Sequence, residues 1–239
     1  MSSDELARLL ADSGCLLLDF DGPVCSIFAA YQAPAIAADL RRILPQDSAA
    51  DLLSRVSETS DPLEVLRWAS ANAPAAVCAI EDALRAAELR AAAGAAPTAY
   101  AGEVMAAAKR THRPVAIVSN NSAPAIHAYL AAHRLDQHVT AVIGRKRYQP
   151  ELMKPEPYSV LTALGRLGCE PPRALLIGDS LADITAAHAA GVRVIGLANR
   201  PGKEDEFTAA GADVIVPDMA DIAVVLSEVE RIGDASQGW

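Results

Sequence analysis

Short apolar runs bounded by turn residues recur along the chain at positions 15–20, 115–119, 139–143, 174–177, 192–197 and 214–216, each rich in Val, Ile or Leu. Runs of this length without polar alternation predict strands buried on both faces. Between them, positions 123–132, 158–167, 181–190 and 220–231 carry apolar residues at helical spacing, and Gly168 and Gly191 stand where two of these helices would stop. Strand and helix alternate through the whole second half. The expected fold is therefore α/β, a doubly wound and mostly parallel sheet.

Positions 26–96 break the alternation, with helical Ala- and Leu-rich stretches at 35–43, 49–56, 62–72 and 76–93 and no convincing strand. This interval reads as a small α-helical cap domain inserted into a catalytic core formed by residues 1–25 and 97–239. Gly22 and Pro23 before it, and Gly94 to Pro97 after it, supply turn chemistry for two hinges.

Composition narrows the partners. Of 239 residues 51% are apolar, and 30 acidic residues against 21 Lys plus Arg give a net charge of −9. An acidic composition without a Lys or Arg run argues against a broad phosphate-tracking surface, so small molecules are expected rather than nucleic acid. Cys15, Cys25, Cys78 and Cys169 form no CxxC pair and predict neither a zinc site nor a disulfide framework. The N-terminus has no basic segment, and its first apolar run is too short for a signal or a membrane span, which predicts a cytoplasmic protein without membrane association.

The chemistry lies at strand ends. The first apolar run passes directly into Asp19-Phe20-Asp21-Gly22, placing two carboxylates two residues apart where the sheet of such a fold binds ligands. Ser119 and Asn120 follow the second core run, Lys154 precedes Pro155, and Gly178-Asp179-Ser180-Leu181-Ala182-Asp183 follows the fourth. Alone, Asp179 and Asp183 read equally as a helix cap and a first-turn acid, Ser119 and Asn120 as turn residues, and Lys154 as a solvated lysine. Their joint occurrence at predicted carboxyl edges points to one site.

This ordered set resembles the haloacid dehalogenase superfamily, whose phosphatases carry DxD, a Ser or Thr, a Lys and GDxxxD in that order. The resemblance implies that Asp19 attacks phosphorus to form an aspartyl-phosphate, and that Asp21 protonates the leaving oxygen and then deprotonates water. It also implies that Mg²⁺ is held by the carboxylates of Asp19 and Asp179 and the backbone carbonyl of Asp21. Ser119 and the Asn120 backbone would bind the phosphoryl oxygens, and Lys154 would clamp Asp19 and phosphate. Asp183 would orient Lys154 or metal-bound waters. Position 23 is Pro where the family commonly has Thr or another small residue.

Asp21 favours phosphoryl chemistry over dehalogenation, because halide leaves without a proton. The interval 26–96 contains neither Lys nor His, which weighs against a phosphonate hydrolase and a sugar phosphomutase of the family. The expected activity is a Mg²⁺-dependent phosphomonoesterase acting on a small phosphorylated metabolite, similar to the phosphoglycolate phosphatase branch. A phosphomutase, and then a non-catalytic binding module, are the alternatives. Arg41, Arg42, Arg55 and Arg67 either reach an anionic substrate group from the cap or lie solvated on helix faces, and Phe28 and Tyr31 either line the pocket or pack in a core.

Overall fold

The computed structural model describes residues 3–45 and 58–236. The chain opens with α1 (Ser3–Asp12), β1 (Cys15–Leu18) and β2 (Cys25–Ser26), and then forms α2 (Ala33–Arg41), α3 (Pro62–Asn72) and α4 (Val77–Ala92). It returns through β3 (Ala96–Pro97), α5 (Ala101–Arg110), β4 (Val115–Val118), α6 (Ala123–Ala132), β5 (Ala141–Ile143), α7 (Tyr158–Leu167), β6 (Ala174–Gly178) and α8 (Leu181–Ala189). The elements β7 (Arg193–Leu197), α9 (Lys203–Ala209), β8 (Val214–Val216) and α10 (Met219–Ser236) follow.

Six strands pair in parallel in the order β5-β4-β1-β6-β7-β8. The chain steps outward from β1 through β4 to β5, then crosses to the other side of β1 and steps outward again. The point where the winding reverses therefore lies beside β1, the position at which such sheets bind ligands. Side chains alternate across the sheet. Leu16, Leu18, Val115, Ile117, Leu175 and Ile177 pack with α1, α5, α6 and α10, whereas Cys15, Leu17, Ala116, Val118, Leu176 and Val194 pack with α7, α8 and α9. Both faces are covered, which explains why the strands read as unbroken apolar runs.

The helices between β2 and β3 have an apolar cluster of their own, built on Ile36, Leu40, Val65, Leu66, Ile80 and Leu84 and joined by Met153 from the loop before Lys154. The expected absence of strand in 26–96 needs correction at both ends. Cys25 pairs with Pro97 and Ser26 with Ala96 in an antiparallel ribbon, which at two residues per strand is too short to leave a periodic signal. The helix expected at 49–56 lies outside the described residues. The expected start of α3 has a local cause, since the Asp61 carboxylate accepts the Leu63 N–H at 2.8 Å and Pro62 occupies a position whose N–H would be unpaired. No helix among the described residues is long and apolar enough to cross a membrane.

Candidate active site

The strand β1 ends at Leu18, and the next residue delivers its carboxylate to the carboxyl edge of the sheet. The Asp19 N–H donates to the Ile177 carbonyl at 2.9 Å, so the backbone stays tied to β6 while its side chain turns toward Lys154. The chain then reverses at Gly22, whose φ of +111° is suited to glycine, and a Cβ there would lie 2.4 Å from Cγ of Asp179. The close approach of that turn to Asp179 is what brings the first and fourth motifs together. Gly178 serves the same purpose one strand away, where a Cβ would meet the Cβ of Asp183 at 2.4 Å.

Asp183 is fully buried at the start of α8. One of its oxygens takes part in a capping box with Ser180, accepting the Ser180 N–H at 3.1 Å and hydroxyl at 2.7 Å, while the other meets Lys154 Nζ at 2.5 Å. Lys154 is 2% exposed and also contacts Asp19 Oδ1 at 2.9 Å and the Val118 carbonyl at 3.0 Å. A buried ammonium with three oxygen partners stays charged, and the carboxylates of Asp183 and Asp19 hold its pKa above the ordinary lysine value against the effect of burial. The sequence-expected residues Asp19, Lys154, Asp179 and Asp183 are thus brought together, with Asp183 in contact with Lys154.

Ser119 and Asn120 enter from β4. The Ser119 hydroxyl donates to Asn121 Oδ1 and accepts the Asn121 N–H, both at 3.2 Å, so the loop closes on itself. Asn120 has a task that the sequence did not announce. Its side chain accepts the Lys154 N–H at 2.8 Å and donates to the Lys154 carbonyl at 3.0 Å, gripping the backbone of the lysine.

Burial acts in the same direction on the two leading acids. Burial, with the neighbouring charge of Asp183, pushes the Asp19 carboxyl up to about 7, while Lys154 pulls it down. Burial also raises Asp21 to about 6; its carboxylate accepts the Ile27 N–H at 3.0 Å, and Asp179 and Asp61 add to the rise. Two residues beyond the expected set reach the site. Lys203 Nζ lies 2.7 Å from Asp179 Oδ2 and 2.9 Å from Asn199 Oδ1; Asn199 stands in the loop that leaves β7, and Lys203 opens α9 at the end of that loop. This loop opens at a strand's carboxyl end, the same positional signal that marked the other motifs.

The expected cap arginines divide. Arg67 borders the cleft and donates to the Lys154 carbonyl at 2.8 Å. Arg41 binds the Thr59 carbonyl, Arg42 pairs with Asp39 at the surface, and Arg55 lies outside the described residues. Phe28 lines the cleft, and Tyr31 packs beneath Arg90, whose guanidinium carbon sits 5.4 Å from the ring centroid.

Asp19, Asp21, Ser119, Asn120, Lys154 and Asp179 open on one cleft of about 970 Å³ between the sheet edge and α3. Asp19, Asp179 and Asp183 each offer a carboxylate oxygen, all within 4.8 Å of one another. Among the described residues, donors engage Oδ1 of Asp19 and Oδ2 of Asp179 but not the other oxygen of either carboxylate. An all-oxygen set of this kind suits a hard divalent cation.

The chain is similar to known proteins. A phosphoglycolate phosphatase of Haemophilus influenzae is 31% identical over 112 residues, 47% of this chain and 49% of that protein. The chain spans about half the length of the curated relatives it matches. A solved structure of a predicted phosphoglycolate phosphatase from Haemophilus somnus superposes with a TM-score of 0.65 at 23% identity, covering 90% of this chain and 98% of its own. CbbY from Rhodobacter sphaeroides, solved with phosphate, gives 0.63 at 21% identity over 87% of this chain and 95% of its own. At these identities the two structures establish a shared fold. The family model for haloacid dehalogenase-like hydrolases matches residues 59–197, more than half of the chain and including Ser119, Lys154, Asp179 and Asp183, so the chain belongs to that family.

Proposed function

We propose that the protein is a divalent-metal-dependent phosphatase that releases inorganic phosphate from a small phosphorylated metabolite. The observation that carries the proposal is the placement of Asp19 at the end of the central strand, held by buried Lys154, with Asp21, Ser119 and Asp179 bordering the same cleft. The relatives named phosphoglycolate phosphatase and the neighbour solved with phosphate support it.

In the first step a carboxylate oxygen of Asp19 bonds to phosphorus as the ester P–O bond breaks, and the leaving oxygen takes the proton of Asp21. In the second, water attacks phosphorus, gives its proton to Asp21, and the bond to Asp19 breaks. The raised pKa of Asp21 keeps a protonated fraction available near neutral pH. Lys154 and Ser119 hold the phosphoryl oxygens. The carboxylates of Asp19 and Asp179 and the Asp21 carbonyl would hold Mg²⁺, which when bound screens the repulsion between carboxylate and phosphate.

Phosphate release from a panel of phosphorylated metabolites, with 2-phosphoglycolate and p-nitrophenyl phosphate included, tests the reading. Hydrolysis should require Mg²⁺, stop with chelator, and fall at least about a thousandfold in Asp19→Asn. Metal-dependent turnover that survives in this variant refutes the assignment. A strict need for a bisphosphate activator with no net phosphate release would instead identify a mutase.

A further inference from the structure

Beneath the loop of residues 119–122 lies a buried charged cluster that the catalytic motifs do not use. Arg145, in the loop that leaves β5, meets Glu81 with Nε at 2.9 Å and Nη2 at 2.9 Å, and meets Glu88 with Nη1 at 2.8 Å. The three side chains are 0%, 2% and 0% exposed. Both acids belong to α4 and are two helical turns apart on one face, so a helix of the inserted region is clasped to a loop of the sheet. One guanidinium cannot neutralise two buried carboxylates, and the remainder is met by the loop. Glu88 accepts the Ser122 N–H at 3.0 Å and Asn121 Nδ2 at 3.4 Å. Arg145 completes the grip, with Nη1 donating to the Asn120 carbonyl at 2.6 Å and its own N–H to the Asn121 carbonyl at 2.8 Å.

Three consecutive residues after Ser119 are therefore fixed by Glu88 and Arg145, and Asn121 in turn holds the Ser119 hydroxyl. Buried ion pairs contribute little net stability, because desolvation offsets their attraction, whereas their directional bonds fix geometry. Glu81 and Glu88 differ in one respect that isolates this role: the hydrogen bonds of Glu81 go to Arg145, and those of Glu88 go to Arg145 and to the loop. We infer that Glu88 and Arg145 are positioning residues, which fix the backbone of the loop that follows Ser119 and make its placement at the cleft depend on the seating of α4. The inference rests on the phosphatase reading for its catalytic consequence.

The test compares Glu88→Gln with Glu81→Gln. Inorganic phosphate is used as inhibitor and p-nitrophenyl phosphate as substrate, and amide hydrogen exchange is followed at positions 119–122. In Glu88→Gln the inhibition constant for phosphate and KM should rise about tenfold, and the Ser122 amide should exchange faster by a similar factor. In Glu81→Gln all three should stay within about twofold, whatever its melting temperature, because the loop keeps its carboxylate. Equal changes in the two variants, or an unchanged phosphate constant in Glu88→Gln, overturn the inference and leave only a structural clasp. If Glu88→Gln does not fold, exchange in the unaltered protein decides: a Ser122 amide protected well beyond its solvent-exposed rate supports the inference, and one exchanging freely overturns it. A wild-type chain that neither binds phosphate nor hydrolyses any ester refutes the phosphatase reading, while the exchange comparison still judges the clasp.

Discussion

Replacing Asp21 with Asn should make the metal-free protein more stable while removing its activity. Burial, reinforced by Asp179 and Asp61, lifts this carboxyl from 3.8 to about 6, roughly two pH units. A carboxyl with a higher pKa folded than unfolded binds more protons in the folded state. Its favourable contribution is therefore complete below the unfolded value of 3.8 and is lost as pH rises through about 6. At about 1.4 kcal/mol per unit, ionised Asp21 destabilises the fold by roughly 3 kcal/mol above that window. An amide keeps an oxygen for the Ile27 N–H, now at 3.0 Å, but gives up the charge that strengthens the bond. That loss is already contained in the net rise of the carboxyl's pKa, so the expected gain stays near 3 kcal/mol, or about 6–12 °C in a chain of this size. Thermal melts with chelator between pH 4.5 and 8 should show a gap that widens as pH rises, while p-nitrophenyl phosphate turnover drops by about 10²–10⁴. A gap independent of pH, or a variant less stable than wild type at pH 8, refutes the reasoning.

Lys154→Met would leave two buried carboxylates without their shared ammonium, so chemical unfolding should report a loss of about 3–5 kcal/mol together with lost turnover, and a loss below about 1 kcal/mol contradicts the buried pairing. Gly22→Ala places a Cβ against Asp179 at φ +111° and should cost about 2–3 kcal/mol and weaken Mg²⁺ binding, whereas Gly168→Ala, at φ +61° with no heavy atom within 4 Å of the added Cβ, should cost only about 1 kcal/mol and leave the metal alone. Mg²⁺ at a hundred times its dissociation constant should stabilise the wild-type chain by about 2.7 kcal/mol, seen as a raised melting temperature that Asp179→Asn abolishes. A wild-type melt indifferent to Mg²⁺ counts against a cation between Asp19 and Asp179.

The strands of the sheet were legible because burial on both faces leaves continuous runs such as Leu16 to Leu18, and α7 and α8 because Gly168 and Gly191 stand just beyond their ends. Helix α1 escaped notice even though Leu6, Leu9 and Leu10 have helical spacing; α9 begins at Lys203 and has few apolar residues to set a period. The motif residues were legible as types in order. Their partners were not, because a contact between Glu88 and Ser122, or between Lys203 and Asp179, is created by chain crossings that no local pattern encodes. Asn120 shows the limit most clearly. Its position at a strand end marked it, but the use of its side chain to hold the Lys154 backbone depends on a segment 34 residues away.

The two-rung ribbon gives the insertion a narrow doorway. Cys25 leaves the sheet opposite the point where Pro97 returns, so the ends of everything between them meet across a single pair of residues. A replacement segment needs ends that meet this rung, an acidic pair that meets Arg145, an apolar face for Met153 and a donor for the Lys154 carbonyl. Asp19, Asp21, Ser119, Lys154 and Asp179 all lie outside that segment in sequence, so a change within it that preserves these few contacts leaves the strand tips where they are.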